Sequence, residues 1–302
     1  MFFRTARFFP YRLLALALCA PVLAGGAVRT TVAAAAAAPA PAEPAARVYL
    51  EDLTWTELRD AIAQGKTTAL VPIGGTEQSG PALALGKHNA RVRLLAGRIA
   101  RELGNALVAP VLAYVPEGNI EPPSSHMRFP GTLSLPPAVF EASLLAIGRS
   151  LRAAGFRDIV FLGDHGGYQG QLAQAAARLD KEWAAGPVRA FAPPEYYRAA
   201  SEGFARILRE RGFSADEIGT HAALADTSLQ LAVDATMVRR EVLESGQPLD
   251  ARVGVTGGDP RRASAALGAL GLDEIVQQSV AAIRAQTAAA TRGTAKKHEA
   301  RP

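Results

Sequence analysis

The feature that most constrains this chain is an alternation. Short continuous apolar runs, most of them ending at glycine or a polar turn, are separated by stretches of helical period. Thr67 to Ile73 is such a run and stops at Gly74-Gly75; Ala106 to Val115 is a second, Ile159 to Leu162 a third and Val188 to Phe191 a fourth. Between them lie helical stretches. Asn89 to Leu103 carries Val92, Leu95, Ile99 and Leu103 on one face and stops at Gly104. Pro137 to Ala154 opens on proline and closes on Gly155, and Gln169 to Trp183, Glu195 to Arg211 and about Arg261 to Ala290 follow. A strand apolar at every position is buried on both faces, and such strands alternating with helices specify a mainly parallel sheet between two helical layers. The expected fold class is therefore α/β, a three-layer α/β/α arrangement in one domain over residues 48–293.

That fold says where a ligand goes. In open parallel sheets it binds beyond the carboxyl ends of the strands. Of the five histidines, four stand at turns beside glycine, proline or acidic residues. Glu77 follows the first apolar run, His88 comes eleven residues later at a helix start, and His165 follows the Ile159 run in Gly163-Asp164-His165-Gly166-Gly167. Glu77, His88 and His165 form a set of one carboxylate and two imidazoles on a single sheet edge. Zinc accepts such a set and keeps a position open in catalytic sites. We expect one divalent ion there, zinc before manganese. His221 and Asp226 are five apart, in His221-Ala-Ala-Leu-Ala-Asp226-Thr-Ser, and converge only if the segment turns. They are expected to move protons or orient a ligand, unless Asp226 caps a helix over Leu229 to Val233. Asp164 either orients His165 or adds a ligand. His126 lies on the long proline-rich stretch from Val115 to Gly131, facing either the pocket or solvent. The arginines of the Asn89 helix read as a solvated face.

Other classes are set aside by charge. Arg4, Arg7 and Arg12, the apolar run Leu13 to Leu23 and the small residues Ala24 to Ala27 read as a secretory signal peptide over residues 1–27. A retained anchor, or a lipid on Cys19, the only cysteine, are the alternatives. Removing those arginines takes the net charge from +5 to 5 − 3 = +2 with no dense basic stripe, so no nucleic-acid partner is expected. Cleavage would leave a periplasmic or secreted protein without a membrane anchor. Residues 28–47, rich in alanine and proline, read as a linker, and residues 294–302 as a disordered polar tail.

Five motifs in order make the chain resemble the creatininase (creatinine amidohydrolase-like) family. They are Glu77-Gln78-Ser79-Gly80-Pro81 with His88 at the family's aspartate position, Phe129-Pro130-Gly131-Thr132, Gly163-Asp164-His165-Gly166-Gly167, His221 to Ser228, and Gly258-Asp259-Pro260. The resemblance implies a three-layer α/β fold, a ring-like homo-oligomer, and zinc- or manganese-dependent hydrolysis of C–N bonds in small molecules. It also implies a two-metal centre, from which this chain departs. Glu77, His88 and His165 fill the first-metal positions. Ser79 and Gly167 stand where second-metal ligands belong, and His88 replaces the bridging aspartate. The expectation is a mononuclear hydrolase of a small amide, lactam or lactone; the alternative is a degenerate relative that binds without turnover.

Overall fold

The computed structural model describes residues 47–299; the leader at 1–27, nearly all of the 28–47 linker and residues 300–302 lie outside them. A four-stranded parallel sheet forms the centre, in the order β2-β1-β3-β4, from β1 (Thr68–Ile73), β2 (Ala106–Val108), β3 (Asp158–Gly163) and β4 (Arg189–Phe191). β1 and β3 pair over their full length, Thr68 with Asp158 through Ile73 with Gly163. Both are buried almost throughout, as their uninterrupted apolar sequence requires.

Side chains alternate across the sheet and build two cores. Leu70, Val160 and Leu162 face Val92, Leu95 and Ile99 of α2 (Lys87–Leu103), together with α6 (Phe204–Glu210), α8 (Leu224–Val233) and α10 (Ala265–Glu299). Ala69, Val71, Ile73 and Phe161 face Phe140 and Leu144 of α3 (Pro137–Ala153) and Leu172 and Leu179 of α4 (Gln169–Glu182). The three-layer α/β/α expectation is met. Each fully buried Leu, Ile or Phe contributes roughly 1.5–3 kcal/mol. The remaining helices are α1 (Trp55–Ala63), α5 (Pro194–Arg198), α7 (Ala215–Ile218) and α9 (Arg240–Glu244). A small antiparallel pair joins β5 (Gly219–His221), just before α8, to β6 (Thr256–Gly258), which follows it.

Three boundaries differ from the sequence reading. The second strand ends at Val108 instead of Val115: Pro110 has no N–H for the ladder, and beyond it only isolated bridges such as Ile73 with Leu112 continue. The helix expected at Leu229 begins at Leu224, with Ala223 as an N-cap lacking a side-chain bond, so Asp226 lies in its first turn. α10 runs on to Glu299, past Thr294, through alanine, lysine and arginine, all good helix formers. Among the described residues no helix is long and apolar enough to cross a membrane.

The strand order reverses at β1. The chain leaves it for β2 on one side and returns to β3 on the other, which opens a crevice at the carboxyl ends of β1 and β3. Tyr168 ties those ends together. Its buried hydroxyl accepts the N–H of Asp164 and of His165 (3.1 Å each), and its own proton faces the carbonyls of Ile73 (2.8 Å) and Gly74 (2.6 Å).

Candidate metal centre

Four histidines surround one carboxylate in that crevice. Glu77, carried just past β1, is fully buried. Its Oε1 is 2.8 Å from His88 Nε2, 3.4 Å from Lys87 Nζ and 3.7 Å from His221 Nδ1. Its Oε2 has no hydrogen-bond partner, yet lies 3.3 Å from both His126 Nε2 and His165 Nε2. A spacing of about 3.3 Å is the ligand-to-ligand edge of a tetrahedral ion with bonds near 2.0–2.1 Å. An orphaned buried carboxylate oxygen facing imidazole nitrogens at that distance fits a divalent cation. Among the described residues, two triads have ligand atoms all within 4.8 Å of one another, and both use Glu77: one with His88 and His165, the other with His126 and His221.

The first triad is the one read from the sequence, and a carboxylate stands behind each of its histidines. His88 Nδ1 is 2.6 Å from Asp164 Oδ2. Asp164 therefore holds His88, not the neighbouring His165 as one sequence reading had it. The reason is direction. Asp164 Oδ2 points across the sheet edge toward the first turn of α2, where Arg91 Nε also meets it at 2.8 Å, and Tyr196 donates to Oδ1 at 2.8 Å. His165 has Glu117 behind it instead, with Oε2 3.7 Å from Nδ1, a nitrogen that also receives the Gly167 N–H at 3.2 Å. A β-carbon on Gly75 would lie 2.6 Å from Glu117 Oε1, so glycine is what gives this carboxyl room.

The second pair has a different character. His221 Nε2 is 3.0 Å from the Gln78 carbonyl and 3.2 Å from the Gln78 side-chain nitrogen, and its Nδ1 lies 3.7 Å from Glu77 Oε1. His126 Nδ1 is 2.9 Å from the Gln78 amide nitrogen, and its ring lies 4.5 Å from that of His221. Thus the loop histidine left open by the sequence faces the site.

Three charged residues near helix starts, Lys87 and Arg91 of α2 and Asp226 of α8, complete the cluster. On α2, Arg91 stands three residues after His88 and four after Lys87, within reach of both side chains. Arg91 is buried, bonded to Asp164 and, through a nitrogen at 2.9 Å, to Asp226 Oδ1; the solvated-face reading does not hold for it. Lys87 is paired with Asp226 Oδ2, which also accepts the Ala222 N–H at 3.0 Å. Asp226 is thus committed to two cations and a backbone donor. Ser79 is buried with its hydroxyl unpartnered and Gly167 is exposed, so neither supplies a strong ligand.

The electrostatics follow from burial and these pairs. Burial opposes the ionised form of Glu77, but the Lys87 charge and the facing imidazoles of His165 and His88 outweigh it and hold the carboxyl far below its ordinary range. Burial likewise opposes charge on Asp226 and Asp164, and Lys87 and Arg91 reverse it for the former, Arg91 and His88 for the latter. His88 is raised despite burial and Lys87, because carboxylates meet both ring nitrogens. His221 falls to about 4 through burial and the Lys87 charge, so it is neutral at physiological pH. Glu117, buried and facing the Glu77 charge, is pushed up to about 9.

A cavity of about 620 Å³ opens onto this cluster, lined by His88, Arg91, Asp164, His165, Tyr197 and His221 among others. Lys87 and Glu117 were missed by sequence reading. Lys87 was visible only as a neighbour of His88, and Glu117 as a lone acid between Pro116 and Gly118.

Comparison with known proteins agrees with this geometry. The family described as creatinine amidohydrolase (Creatininase) matches residues 51–283. A mycofactocin precursor peptide peptidase of Mycolicibacterium smegmatis is 39% identical over 118 residues, 37% of this chain and 45% of that one. A creatinine amidohydrolase of Pseudomonas putida is 30% identical over 118 residues, 39% of this chain and 45% of that one. The chain thus matches less than half the length of these curated relatives. Solved structures align more completely. A manganese creatininase has a TM-score of 0.66 at 25% identity, covering 80% of this chain and 99% of the other. A creatininase of Zn-Zn type has a TM-score of 0.65 at 25% identity, covering 80% and 98%.

Proposed function

The chain belongs to the creatininase family, and from that membership we propose that it is a metal-dependent hydrolase acting on a small amide, lactam or lactone with one divalent ion per chain. Glu77, His88 and His165 would hold the ion, zinc before manganese. The observation that carries this reading is the orphaned Glu77 Oε2, buried 3.3 Å from His165 Nε2, with Asp164 at hydrogen-bond distance behind His88. A carboxylate placed like Asp164 fixes the tautomer and raises the basicity of a ligating imidazole. An ion held there supplies electrophilic assistance and acidifies water near neutrality.

The chain's own residues do the rest. His221, neutral at physiological pH and lining the cavity, is placed to take a proton from water or pass one to a leaving group. Asp226 anchors Lys87 and Arg91, so the proton-moving role shared with it in the sequence reading goes to His221 alone. The cavity is in the size range of small-ligand pockets. The names of the curated relatives, an amidohydrolase and a peptidase, support scission of a C–N bond. Export by the leader at 1–27 and assembly into a ring-like homo-oligomer belong to the same proposal.

A second reading, binding without turnover, is favoured by one observation. Glu77, Asp164 and Asp226 already face Lys87, Arg91 and a doubly held His88, so the charges can balance without an ion. A panel of small amides, lactams, lactones and short peptides, assayed with chelator and after zinc or manganese is restored, separates the two. Metal-dependent hydrolysis supports the enzyme. Binding with no product on any member, at full metal occupancy, supports the alternative.

A further inference from the structure

Gln78 has no part in the reading above, yet its side chain touches both histidines of the second triad. It is buried and held at several points. Its backbone N–H donates to Thr132 Oγ1 at 3.0 Å, and its side-chain Oε1 accepts the Gly80 N–H at 3.0 Å. A β-carbon on Gly254, whose φ is +83°, would collide with the Gln78 amide, so glycine there is what makes room for it.

The Gly80 N–H decides which way round the amide sits. Turning it over would set the amide NH2 against that N–H, two donors face to face. Nε2 therefore faces His126 Nδ1, at 2.9 Å, and it has only hydrogens to offer. The ring nitrogen opposite such a donor carries the lone pair, which puts the proton of the neutral ring on Nε2. That nitrogen lies 3.3 Å from Glu77 Oε2, which makes no hydrogen bond, so the N–H is not spent there. The other rings are not fixed in this way. His221 Nε2 meets both the Gln78 amide nitrogen and the Gln78 carbonyl, a donor and an acceptor, and either tautomer fits. His165 Nδ1 receives the Gly167 N–H but has Glu117 Oε2 at 3.7 Å as an alternative acceptor. Backbone strain also points to His126: Ser125, just before it, holds φ at +50°, a left-handed conformation uncommon outside glycine and typical of places where a side chain must be aimed.

We propose that Gln78 is a positioning residue that holds His126 as the Nε2–H tautomer, making this histidine a hydrogen-bond donor in the crevice and closing the Glu77–His126–His221 triad to metal. A ligating imidazole needs a lone pair where the ion sits, and on His126 the proton stands there. The His126 side chain is 22% exposed and lines the cavity, so its N–H is within reach of an oxygen of a bound molecule. A donor of this kind stabilises negative charge developing on a carbonyl oxygen. That use rests on the hydrolase reading; the tautomer and the closed triad do not.

The test labels the histidines of the full chain isotopically, strips the protein with chelator, and reads by long-range proton–nitrogen NMR which ring nitrogen carries each proton. The His126 signals are assigned by their loss in His126→Ala. The expected parent spectrum has the His126 proton on Nε2. In Gln78→Glu, the same shape but with only acceptor oxygens, it should move to Nδ1. Metal content is then measured by elemental mass spectrometry after equilibration with zinc or manganese and desalting. It should be unchanged in His126→Ala and one ion per chain higher in Gln78→Glu, a gain lost when His126→Ala is added. A parent with the proton on Nδ1 overturns the proposal, as does a folded Gln78→Glu chain that keeps it on Nε2 or gains no ion, or a parent that loses an ion in His126→Ala. If Gln78→Glu does not fold, the parent spectrum and His126→Ala still decide. A parent with the proton on Nε2 that holds no metal would leave this proposal standing while removing the one-ion reading.

Discussion

Glu117→Gln should stabilise the metal-free protein while weakening its hold on metal. The Glu117 carboxyl is buried, neither oxygen has a hydrogen-bond partner, and the Glu77 charge adds to burial in pushing it from 4.5 up to about 9. At pH 7 the unfolded chain ionises this group and the folded chain keeps it protonated. Folding therefore takes up a proton against a gap of 7 − 4.5 = 2.5 pH units, which at about 1.4 kcal/mol per unit costs roughly 3 kcal/mol. The folded value is raised, so the stability from the protonated group is complete below pH 4.5 and is lost progressively up to about pH 9. Glutamine is neutral throughout and removes that loss. Because its amide must still be desolvated, a gain of about 1–3 kcal/mol at pH 7 is the working range. Denaturant unfolding with chelator from pH 4.5 to 9 is the assay, and the two stability curves should meet near pH 4.5 and diverge above it. With metal present the order reverses in affinity: losing the carboxylate behind His165 should weaken binding about 10- to 100-fold. Parallel pH curves, or a variant less stable than the parent at pH 7 in chelator, would refute the reasoning.

Asp226→Asn removes one carboxylate from Lys87 and Arg91 together and should cost about 3–5 kcal/mol of stability, measured by denaturant unfolding; a loss under 1 kcal/mol would show that the two cations find other partners. His221 is held near 4 by burial and the Lys87 charge, so as a base it stays competent down to about pH 4, and the acid limb of kcat/KM assigned to it by His221→Asn should lie near 4. A limb at about 6.5, the ordinary histidine value, that vanishes in the variant would contradict that assignment. For export, mass spectrometry of the mature chain should find an N-terminus near Ala27 in the periplasmic fraction, whereas an intact leader on cytosolic protein would reject it.

What was legible in the sequence was what local pattern controls. The unbroken apolar run from Ile159 to Leu162 could hardly be other than a strand between two helical layers, and Glu77 and His165 then had to share a sheet edge. Proline limited the second strand in a way that hydropathy alone did not register. The start of α8 was missed because Ala223 carries no capping side chain. Arg91 was misread because helical periodicity separates apolar from polar faces, and its polar side chain packs inward against Asp164 and Asp226, 73 and 135 residues away. Pairings at that distance leave no local trace. The same holds for Asp164, whose nearest histidine in sequence is His165 but whose partner in space is His88. Glu117 became informative only once His165 Nδ1 and the missing β-carbon of Gly75 were seen beside it.

The central claim is that His88 is one of three ligands to a single ion. The direct measurement is metal content per chain, by elemental analysis of protein purified without added metal, for the parent and for His88→Ala, with circular dichroism confirming that both are folded. The account predicts close to one zinc or manganese per parent chain and a small fraction of that in the variant. Two tightly held ions in the parent, or full occupancy in a folded His88→Ala chain, would contradict it.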